Sequence, residues 1–517
     1  MSLVAGLRVD VYTGGFADAA DVFNDENDAV GALPTATYAD LPAANEDPRW
    51  GSGEVAVRFG GSLIAPTSGT HSFRVRGDDG VRLWLDNELI YDDWDADRTG
   101  RLGGVSLQVA AGRHDLRLDY HDADGGGDGE RSVALEWKQP GGDWEPLAED
   151  LLTVDRMPSV IDRAGIYVGS YFSNDPFTPA VLINTDRPVR IERSTITSHS
   201  HLIATGNPFS NADFTADVDL EVRDNTGVGL NPNVRGQTAG RFVYATNAAR
   251  LNIEQNTLIS TSGIWAASSD NMEFRVVAND VLNIDGRVSD GNGGYDGFER
   301  RSFVQLDKVV APGAEIAWNR VTNLPGESRV EDNINLFRSG GTAGDPIRIH
   351  RNLIDGAWPI EGEEFFGGGI LVGDNPDVGG HSRDAAHAEV FRNVVLNTTN
   401  HGIAIAGGAH HRVYDNRVFS DGRTPDGTKV LQDNDVGVYV WNSYGDDTWA
   451  DNAAWNNVIG VIRHDPAGVA RRNDDWMPDG LDFGGNVYAD VNETTESNER
   501  LAWETYVARS GITVGVR

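Results

Sequence analysis

Two adjacent acidic residues between glycines, Gly77-Asp78-Asp79-Gly80, are the first place where residue types and spacing could do chemistry. Two neighbouring carboxylates repel each other unless a cation or a hydrogen-bond donor lies between them. The glycines allow a tight turn that aims both side chains and nearby carbonyls at one point, as an oxygen-liganded Ca²⁺ requires. By itself the tetrapeptide indicates either a cation site or a polar turn.

A second group of polar residues lies between positions 361 and 387, on both sides of a run of three glycines. Two carboxylates across a groove could be the acid and the nucleophile or base of a glycosidase. A base beside an arginine and Ca²⁺ could instead abstract the proton next to a uronate carboxylate, as a lyase does. Solvated loops on an acidic protein are the third interpretation. The candidate catalytic residues are Glu363, Asp374, His381 and Arg383.

The overall composition restricts the possible partners. The 517 residues include 79 acidic and 43 basic side chains, a net charge of -36, and only three of the basic residues are lysines. Such a surface repels phosphate backbones and anionic lipid, so we expect neither nucleic acid nor membrane insertion. The chain has no cysteine, which excludes disulfides and thiol nucleophiles. It also has no apolar run long enough to cross a membrane.

The acidic pair precedes a predicted β-hairpin, because apolar and polar residues alternate over 81–85 and a polar turn at 86–88 leads to a return strand. Short strands bounded by Gly, Pro or Asp recur through the first 155 residues, which predicts an antiparallel β-sandwich. The other strands are predicted at 55–59, 69–75, 105–109, 112–120 and 132–137.

This first region, residues 1–155, resembles the PA14 domain. The resemblance rests on the stretch Val57 to Asn87, on Ala-Gly-Arg-His-Asp-Leu-Arg-Leu-Asp-Tyr at 111–120 and on Val-Ala-Leu-Glu-Trp at 133–137. It implies a β-sandwich of a kind found in adhesins, glycosidases and toxins. In lectin members of that family an Asp-Asp pair binds Ca²⁺, and the ion contacts sugar hydroxyls.

The resemblance also implies site residues, since Asp78 and Asp79 match the calcium-binding pair. A second, acidic and glycine-rich loop at 121–130 corresponds to the loop that completes the metal shell in the lectins. Trp94 is a candidate for stacking on a sugar, with core packing as the other interpretation. The second-loop candidates for the metal are Asp122, Asp124 and Asp128.

The region from 158 to 517 has a different organisation, in which Asn followed closely by Val, Ile or Leu recurs at intervals of 23 to 41 residues. A base period of about 23 residues with insertions is typical of a right-handed parallel β-helix. Asparagines at the same turn of successive coils can stack as a hydrogen-bonded ladder around an aliphatic interior. The ladder is predicted at Asn256, Asn279, Asn319, Asn352, Asn393, Asn416, Asn457 and Asn486.

In architecture this region resembles secreted β-helix proteins of the pectate-lyase-like superfamily, and no catalytic signature of that group accompanies the resemblance. Aromatic residues at Tyr439, Trp441, Tyr444, Trp449 and Trp455 form either a sugar-stacking track or loop anchors. We therefore expect an all-β protein, a PA14 β-sandwich followed by a right-handed parallel β-helix.

Two functions fit these features, and polysaccharide is the partner in both. The first is a glycan-binding adhesin or spike, extracellular or on a cell or virion surface, with a Ca²⁺-dependent PA14 domain on a β-helix stem. The alternative is a secreted polysaccharide lyase or glycoside hydrolase with its groove on the β-helix. A spike would be compatible with a homotrimer. The first residues show no charged segment followed by an apolar one, so we expect another export route or a trimmed signal.

Replacing Asp78 with alanine tests the calcium site. We expect Asp78→Ala to weaken calcium binding in calorimetric titration and to remove the increase in melting temperature that Ca²⁺ produces, because a carboxylate ligand is lost. Unchanged calcium affinity and unchanged thermal stability would contradict the site.

Overall fold

The structure is a computed structural model. It describes the following parts of the chain: residues 4–5, 8–13, 55–77, 79–94, 101–122, 133–147, 151–154, 159–205, 217–358, 366–376, 385–431, 435–482 and 484–517. In these parts no helix has the length and apolarity needed to cross a membrane.

Eleven strands build the first domain. They are β1 (Val4–Ala5), β2 (Arg8–Thr13), β3 (Val55–Ala65), β4 (Gly69–Gly77), β5 (Gly80–Leu85), β6 (Glu88–Asp93), β7 (Arg101–Val109), β8 (Gly112–Asp122), β9 (Val133–Lys138), β10 (Trp144–Pro146) and β11 (Leu152–Val154).

These strands form two antiparallel sheets packed face to face, as the alternating sequence pattern predicts. One sheet has the order β1-β11-β3-β8-β5-β6 with β2 also paired to β3, and the other has the order β10-β9-β4-β7. Their inner faces share one apolar core that includes Phe59, Phe73, Leu118 and Trp137, all fully buried. The sandwich is therefore stabilised mainly by apolar burial between its sheets.

The predicted hairpin is confirmed by β5 and β6. Asp86 and Asn87 join them with positive φ angles of 51° and 67°. Two successive left-handed residues are typical of a two-residue turn whose twist matches that of the strands, and Asp and Asn tolerate this conformation best after glycine. The hairpin holds Gly80, at the start of β5, beside strand β8, where it pairs with His121.

Thirty-six strands and one helix follow in the second domain. They are β12 (Ser159–Ile161), β13 (Gly165–Tyr167), β14 (Ser170–Ser173), β15 (Val181–Ile183), β16 (Val189–Glu192), β17 (Thr195–Ser198), β18 (Ile203–Ala204), β19 (Val218–Arg223), β20 (Thr226–Gly229), β21 (Val243–Thr246), β22 (Ala248–Glu254), β23 (Thr257–Thr261), β24 (Ile264–Asp270), β25 (Glu273–Val277), β26 (Asp280–Ile284), β27 (Arg287–Ser289), β28 (Tyr295–Phe298), β29 (Val304–Val310), β30 (Glu315–Ala317), β31 (Arg320–Thr322), β32 (Asp332–Phe337), β33 (Ile347–His350), β34 (Leu353–Asp355), β35 (Gly368–Asp374), β36 (Ala388–Phe391), β37 (Val394–Leu396), β38 (His401–Ile405), β39 (Arg412–Tyr414), β40 (Arg417–Ser420), β41 (Val436–Val440), β42 (Ala453–Trp455), β43 (Val458–His464), β44 (Ala470–Arg472), β45 (Asp475–Trp476), β46 (Leu481–Asp482), β47 (Val487–Tyr488) and α1 (Glu493–Ser510).

Most of these strands belong to three long sheets whose internal pairings are almost all parallel, which confirms the predicted β-helix architecture. The first sheet runs β12-β15-β18-β21-β24-β29-β32-β35-β38-β41-β45. The second runs β13-β16-β19-β22-β25-β30-β33-β36-β39-β42-β46. The third runs β14-β17-β20-β23-β26-β31-β34-β37-β40-β43, with β47 and the antiparallel β44 also on β43. Aliphatic side chains such as Ile264, Val304 and Ile334 fill the interior in register.

The predicted asparagine ladder is present at all eight positions and starts one coil earlier, at Asn225. From Asn256 to Asn486, each ladder Oδ1 accepts hydrogen bonds from the backbone N–H and the Nδ2 of the asparagine one coil before it, at 2.9–3.2 Å. From Asn225 to Asn457, each Nδ2 also donates to a backbone carbonyl of the preceding coil. The ladder therefore satisfies buried polar groups at the turn between the second and third sheets.

The turn itself places a left-handed residue directly before each asparagine. From Asp224 to Asn456 these residues have φ angles of 52–61°, and they include side chains as large as Trp318 and Arg351. A left-handed residue other than glycine costs on the order of 1 kcal/mol. At Gly485, before the last ladder asparagine, a Cβ would lie 2.0 Å from Asn456 Oδ1, so this turn requires glycine.

Helix α1 packs along the third sheet near the C-terminus. Asn492 caps its start by accepting from the Thr495 N–H, and Gly511 ends it with φ 69°. Trp503 and Val507 are buried against Leu353 and Phe419, so the helix covers part of the outer face of that sheet.

Buried polar contacts join the two domains. Arg58 and Arg117 both bind Asp119 within the sandwich, and Arg58 Nη1 also donates to the Asn233 carbonyl at 2.6 Å. Arg117 Nη2 donates to the Gly291 carbonyl at 3.1 Å, in the loop of the β27–β28 hairpin. On the β-helix side, His199 Nε2 lies 3.0 Å from Asp115 Oδ2. The sandwich therefore lies directly on the coils that contain these loops.

The ladder makes a stability prediction at Asn352. Asn352→Ala removes two donors and an acceptor that serves two N–H groups, so we expect a loss on the order of 3 kcal/mol of unfolding free energy. Denaturant titration measures this loss. The control is Asn498→Ala on the exposed side of α1, which should leave the midpoint nearly unchanged. Equal midpoints for both variants would contradict a stabilising ladder.

Candidate active site

The outer face of the first sheet carries one continuous row of aligned residues. Starting at β21, the row runs through Tyr244, Trp265, Gln305, Asn335, Leu371, Ala404, Tyr439 and Trp476. The neighbouring positions are aliphatic and point into the core, so alternation directs this row away from it. Polar and aromatic side chains that are distant in sequence thus share one surface.

A cleft of about 910 Å³ lies over the C-terminal half of this row. Its charged and polar lining includes Glu331, Asp332, Asp374 and His401, and Arg300 stands at its edge. Its aromatic lining consists of Phe337, Tyr439, Trp441, Tyr444 and Trp476. Carboxylates beside aromatic rings in one cleft are the chemistry that a carbohydrate substrate requires.

Three carboxyl groups from two adjacent coils meet in the cleft. Asn335 Nδ2 donates to Asp332 Oδ2 at 2.9 Å and to Asp374 Oδ2 at 3.0 Å. One amide nitrogen therefore holds these two carboxyl groups close together. Glu331 directly precedes Asp332 and also lines the cleft. Gly368 permits the arrangement, because a Cβ there would lie 2.0 Å from Asp332 Oδ1 and 2.6 Å from the His401 ring.

Three buried polar atoms of this cluster lack a hydrogen-bond partner among the described residues. They are Asp332 Oδ1, His401 Nε2 and Asn335 Oδ1. Asp332 Oδ1 and His401 Nε2 lie 3.1 Å apart, but their geometry is not that of a hydrogen bond. Buried polar groups are nearly always paired in folded proteins, so unpaired ones in a cleft indicate atoms that bind a ligand or solvent.

The cluster holds protons more tightly than ordinary carboxyl groups. Burial, together with the charges of Asp332 and Asp374, raises the pKa of Glu331 to about 8, although Arg300 opposes the change. Burial also raises the pKa of Asp374, while hydrogen bonds from Tyr444 and Asn335 oppose that shift. A neutral carboxyl next to an ionised one is the arrangement that general acid catalysis uses.

The aromatic residues surround the carboxyl groups. The Tyr444 hydroxyl donates to Asp374 Oδ1, and Trp441 lies 4.6 Å from Trp476, centroid to centroid. Trp441 and Trp476 are 38% and 48% exposed, so their faces are accessible from the cleft. Burial raises the pKa of Tyr439 and of Tyr444, which therefore stay neutral as hydrogen-bond donors.

Only one of the four predicted catalytic residues lies within the described part of the chain. Asp374 ends strand β35 and belongs to the carboxyl cluster. Glu363, His381 and Arg383 lie outside the described residues. Of the predicted aromatic track, Tyr439, Trp441 and Tyr444 line the cleft. Trp449 packs against the β-helix core, and Trp455 stacks on Tyr414 on the second sheet.

The predicted calcium site is described in part. Asp79 is half-buried at the start of the hairpin, whereas Asp78, Asp124 and Asp128 lie outside the described residues, and of Asp122 only the backbone is described. A Cβ at Gly80 would lie 2.0 Å from His121 Nε2 and 2.3 Å from the Trp94 carbonyl, so this turn requires glycine. The described residues contain no group of three or more acidic or histidine side chains arranged for a metal ion.

Trp94, the predicted sugar-stacking residue, is 3% exposed. Its ring packs on His121 at a centroid distance of 4.4 Å, with the Arg82 guanidinium 4.8 Å from its centre. Most of its surface is therefore in contact with the sandwich.

Sequence reasoning did not select Glu331 or Asp332 as site residues. Glu331-Asp332 is an adjacent acidic pair directly before an apolar strand, the same signal that drew attention to Asp78-Asp79. His401 similarly starts strand β38. Polar residues at the start of the first-sheet strands β32 and β38 were the pattern that could have located the cleft.

Comparison with known proteins identifies the first domain. The family model for the PA14 domain matches residues 43–150. No curated protein matches the chain.

Three solved structures similar to this chain each cover less than a third of it. The PA14 domain of the MpAFP antifreeze protein is 16% identical with a TM-score of 0.24, and the match covers 30% of this chain and 92% of that one. A PA14 sugar-binding domain from an RTX adhesin is 18% identical with a TM-score of 0.24, covering 29% and 98%. The epithelial adhesin 9 A domain from Candida glabrata, in complex with Galb1-4GlcNAc, is 11% identical with a TM-score of 0.20, covering 28% and 85%.

This chain spans about half the length of the anti-sigma factor domain-containing proteins that it also matches. At these identities and TM-scores the structural likenesses support no functional argument. The assignment of the first domain depends on the family match. Residues 43–150 therefore form a PA14 domain, and a parallel β-helix follows it in the chain.

Proposed function

We propose that this protein binds a polysaccharide and hydrolyses its glycosidic bonds in the cleft of the β-helix. The observation that carries the proposal is the carboxyl cluster of Glu331, Asp332 and Asp374, which lines an aromatic-lined cleft and includes an Asp332 oxygen that is buried and unpaired among the described residues. The PA14 domain supports the choice of a glycan as the partner, because members of that family include lectins. In this view the domain holds the polymer that the cleft cleaves.

Glu331 and Asp332 divide the two tasks of hydrolysis. The protonated carboxyl of Glu331 gives its proton to the glycosidic oxygen as the bond from that oxygen to the anomeric carbon breaks. The carboxylate of Asp332 either takes a proton from the water that attacks the anomeric carbon or attacks that carbon itself before water displaces it, and in both cases the water oxygen becomes the new hydroxyl. Asn335 positions Asp332 through its amide, and burial, together with the charges of Asp332 and Asp374, keeps the pKa of Glu331 high.

The exposed faces of Trp441 and Trp476 support a carbohydrate substrate rather than a small polar one. An aromatic face packs against the apolar face of a sugar ring. A lyase mechanism is the alternative, since Arg300 lies 3.3 Å from Glu331 and could bind a uronate carboxylate beside that base. Among the described residues, no arginine or lysine lies within ion-pair distance of Asp332 or Asp374, which favours hydrolysis.

Substitution of the two carboxyl groups tests the mechanism. We expect Glu331→Gln and Asp332→Asn each to lower kcat by roughly 10²–10⁴-fold on a polysaccharide, measured as new reducing ends. An aryl glycoside with a good leaving group needs little acid assistance, so Glu331→Gln should lose much less activity on it, whereas Asp332→Asn should remain impaired. Asp270→Asn, an exposed carboxyl at the end of β24, is the control with unchanged activity.

The outcomes separate the candidate functions. Ultraviolet absorbance of unsaturated uronates, without water-derived reducing ends, would show that the reaction is elimination and not hydrolysis. Binding of glycans without turnover by any of them would favour the non-catalytic adhesin, in which the cleft only recognises the polymer. The PA14 domain is the observation that favours this second function.

The raised pKa of Glu331 makes a separate prediction about stability and pH. Its pKa is 4.5 in the absence of structure and about 8 in the fold, so between these values the folded protein binds more protons than the unfolded one. Stability therefore falls as pH rises through this window. Glu331→Gln removes that loss. We expect the unfolding free energy of this variant to exceed that of wild type only slightly at about pH 4 and by on the order of a few kcal/mol at about pH 9.

Denaturant titration at both pH values measures this difference. The same gain at both pH values would contradict a raised pKa at Glu331. Asp270→Asn serves again as the control and should show no pH-dependent gain.

We further propose that the PA14 domain recognises its glycan with Ca²⁺ held at Asp78 and Asp79. Support comes from the resemblance to lectin members of the family and from the glycine-flanked turn, where Gly80 packs against His121. The ion would supply direct coordination of sugar hydroxyls. An extracellular or surface location is part of this proposal, since the polysaccharides that it assigns to the PA14 domain lie outside the cell.

A further inference from the structure

A second cavity, of about 510 Å³, lies over the N-terminal half of the same outer row. Its lining includes Arg241, Arg301, His201, Tyr244 and Trp265. Arg300 lines both this cavity and the carboxyl cleft, so the two are neighbours on one surface. We call the second cavity the arginine pocket.

The aligned row connects the arginine pocket with the carboxyl cleft. Trp265 lies in the arginine pocket and Trp476 in the cleft, six strands apart in the first sheet. At about 4.8 Å between neighbouring strands, the distance is roughly 29 Å. A ligand that occupied both cavities would be an extended oligomer lying across the strands.

The arginine pocket contains a buried cation without a carboxylate partner among the described residues. Arg241 is 7% exposed. Its Nη1 donates to the Ser262 carbonyl at 2.7 Å and its Nη2 to Gln305 Oε1 at 3.3 Å, both neutral acceptors. A buried charge of this kind is costly unless an opposite charge compensates it.

Among the described residues, the acidic side chains near Arg241 pair with other arginines. Glu299, which also lines the pocket, pairs with Arg301, and Glu331 lies 3.3 Å from Arg300, so their charges favour the Arg241 cation without a direct ion pair. Burial, followed by the charge of Arg301, lowers the pKa of Arg241 well below its usual value. The Ser200 hydroxyl also lines the pocket, is buried, and has no hydrogen-bond partner among the described residues. An anion with hydrogen-bond acceptors would satisfy both groups.

One wall of the pocket is aromatic. His201, Tyr244 and Trp265 stack on successive coils, with ring centroids 4.7 Å and 4.6 Å apart. His201 Nδ1 accepts a hydrogen bond from the backbone N–H of Arg241 at 2.9 Å. Burial lowers the pKa of His201 to about 3, so its ring is neutral. The wall therefore offers ring faces to an apolar surface beside a fixed positive charge, a combination suited to an acidic sugar.

We propose that the arginine pocket is a subsite for the acidic group, carboxylate or sulfate, of a linear glycan that extends along the first sheet into the carboxyl cleft. Arg241 binds the acidic group, with Arg301 beside it, and the aromatic wall contacts the sugar ring. This inference rests on the proposed function for the path of the chain, but anion binding itself does not depend on turnover.

Binding measurements on the full chain test the subsite. The probes are an oligogalacturonate, a sulfated oligosaccharide, an uncharged oligosaccharide of equal length and inorganic sulfate, each titrated calorimetrically into Asp332→Asn, which should not consume them. We expect at least one anionic probe to bind about tenfold or more tightly than the uncharged one, because a charge-assisted contact is added. The preferred probe identifies the acidic group as carboxylate or sulfate.

Arg241→Gln, added to Asp332→Asn, should reduce this preference to nearly nothing, and Arg301→Gln should reduce it in part. Arg301 provides the second variant because Arg241 is buried and its replacement can impair folding, which circular dichroism would reveal. Arg163→Gln, an exposed arginine at the start of the β-helix, is the matched control and should leave all affinities unchanged.

Three outcomes would overturn the subsite. They are equal affinity for charged and uncharged probes, full anionic preference in folded Arg241→Gln and Arg301→Gln, and binding of inorganic sulfate without binding of any oligosaccharide. Failure of the hydrolytic proposal looks different, since anionic probes would bind through Arg241 while no glycan was cleaved.

Discussion

The asparagine ladder is the interaction on which the rest of the β-helix depends. A chain that turns sharply once per coil exposes backbone N–H and C=O groups at every corner, and in a stacked coil those groups are buried. At the corner between the second and third sheets a left-handed residue makes the turn, and the following asparagine satisfies the groups that the turn leaves unpaired. Because each amide bonds to the next, the corners of successive coils are held in one line.

That alignment explains how the carboxyl cleft arises. Insertions between ladder positions range widely in length, yet the corners keep their register, so the first-sheet strands of successive coils also stay aligned. Glu331 and Asp374 are far apart in sequence but belong to adjacent coils. Gly368, between Asp332 and His401, removes the one side chain that would separate them. The carboxyl cluster is thus a product of coil stacking rather than of any local motif.

The fold could be predicted from the sequence to a large extent, and the reasons are local. The Asp86-Asn87 turn and the asparagine periods are short-range signals, and both hold in the structure. Asn225 escaped the pattern because Gly227 stands where later coils have an aliphatic residue. A Cβ at Gly227 would lie 2.5 Å from the Phe242 ring, so that ring fills the space instead. The left-handed backbone conformation of Trp318 and Arg351 could not be predicted either, because it follows from the ladder and not from the preference of these residue types.

The candidate site was less predictable, since it depends on which loops face each other across coils. Asp374 was found from its polar neighbourhood, but Glu331 and Asp332 looked like part of a coil wall. The arginine pocket had no sequence signal at all, because burial makes Arg241 unusual and burial is a property of the stack.

The buried contacts between the sandwich and the β-helix have a further consequence. Arg58, Arg117 and Asp115 bind groups on the β-helix directly, so the PA14 domain is not suspended on a flexible tether. For two sites on a flexible linker, the effective concentration of one at the other is set by linker length and stiffness. In this protein the effective concentration would instead be set by the fixed distance between the PA14 domain and the cleft. A polymer held by the first domain would then meet the cleft only at chain positions that match this span, which would select products of particular lengths.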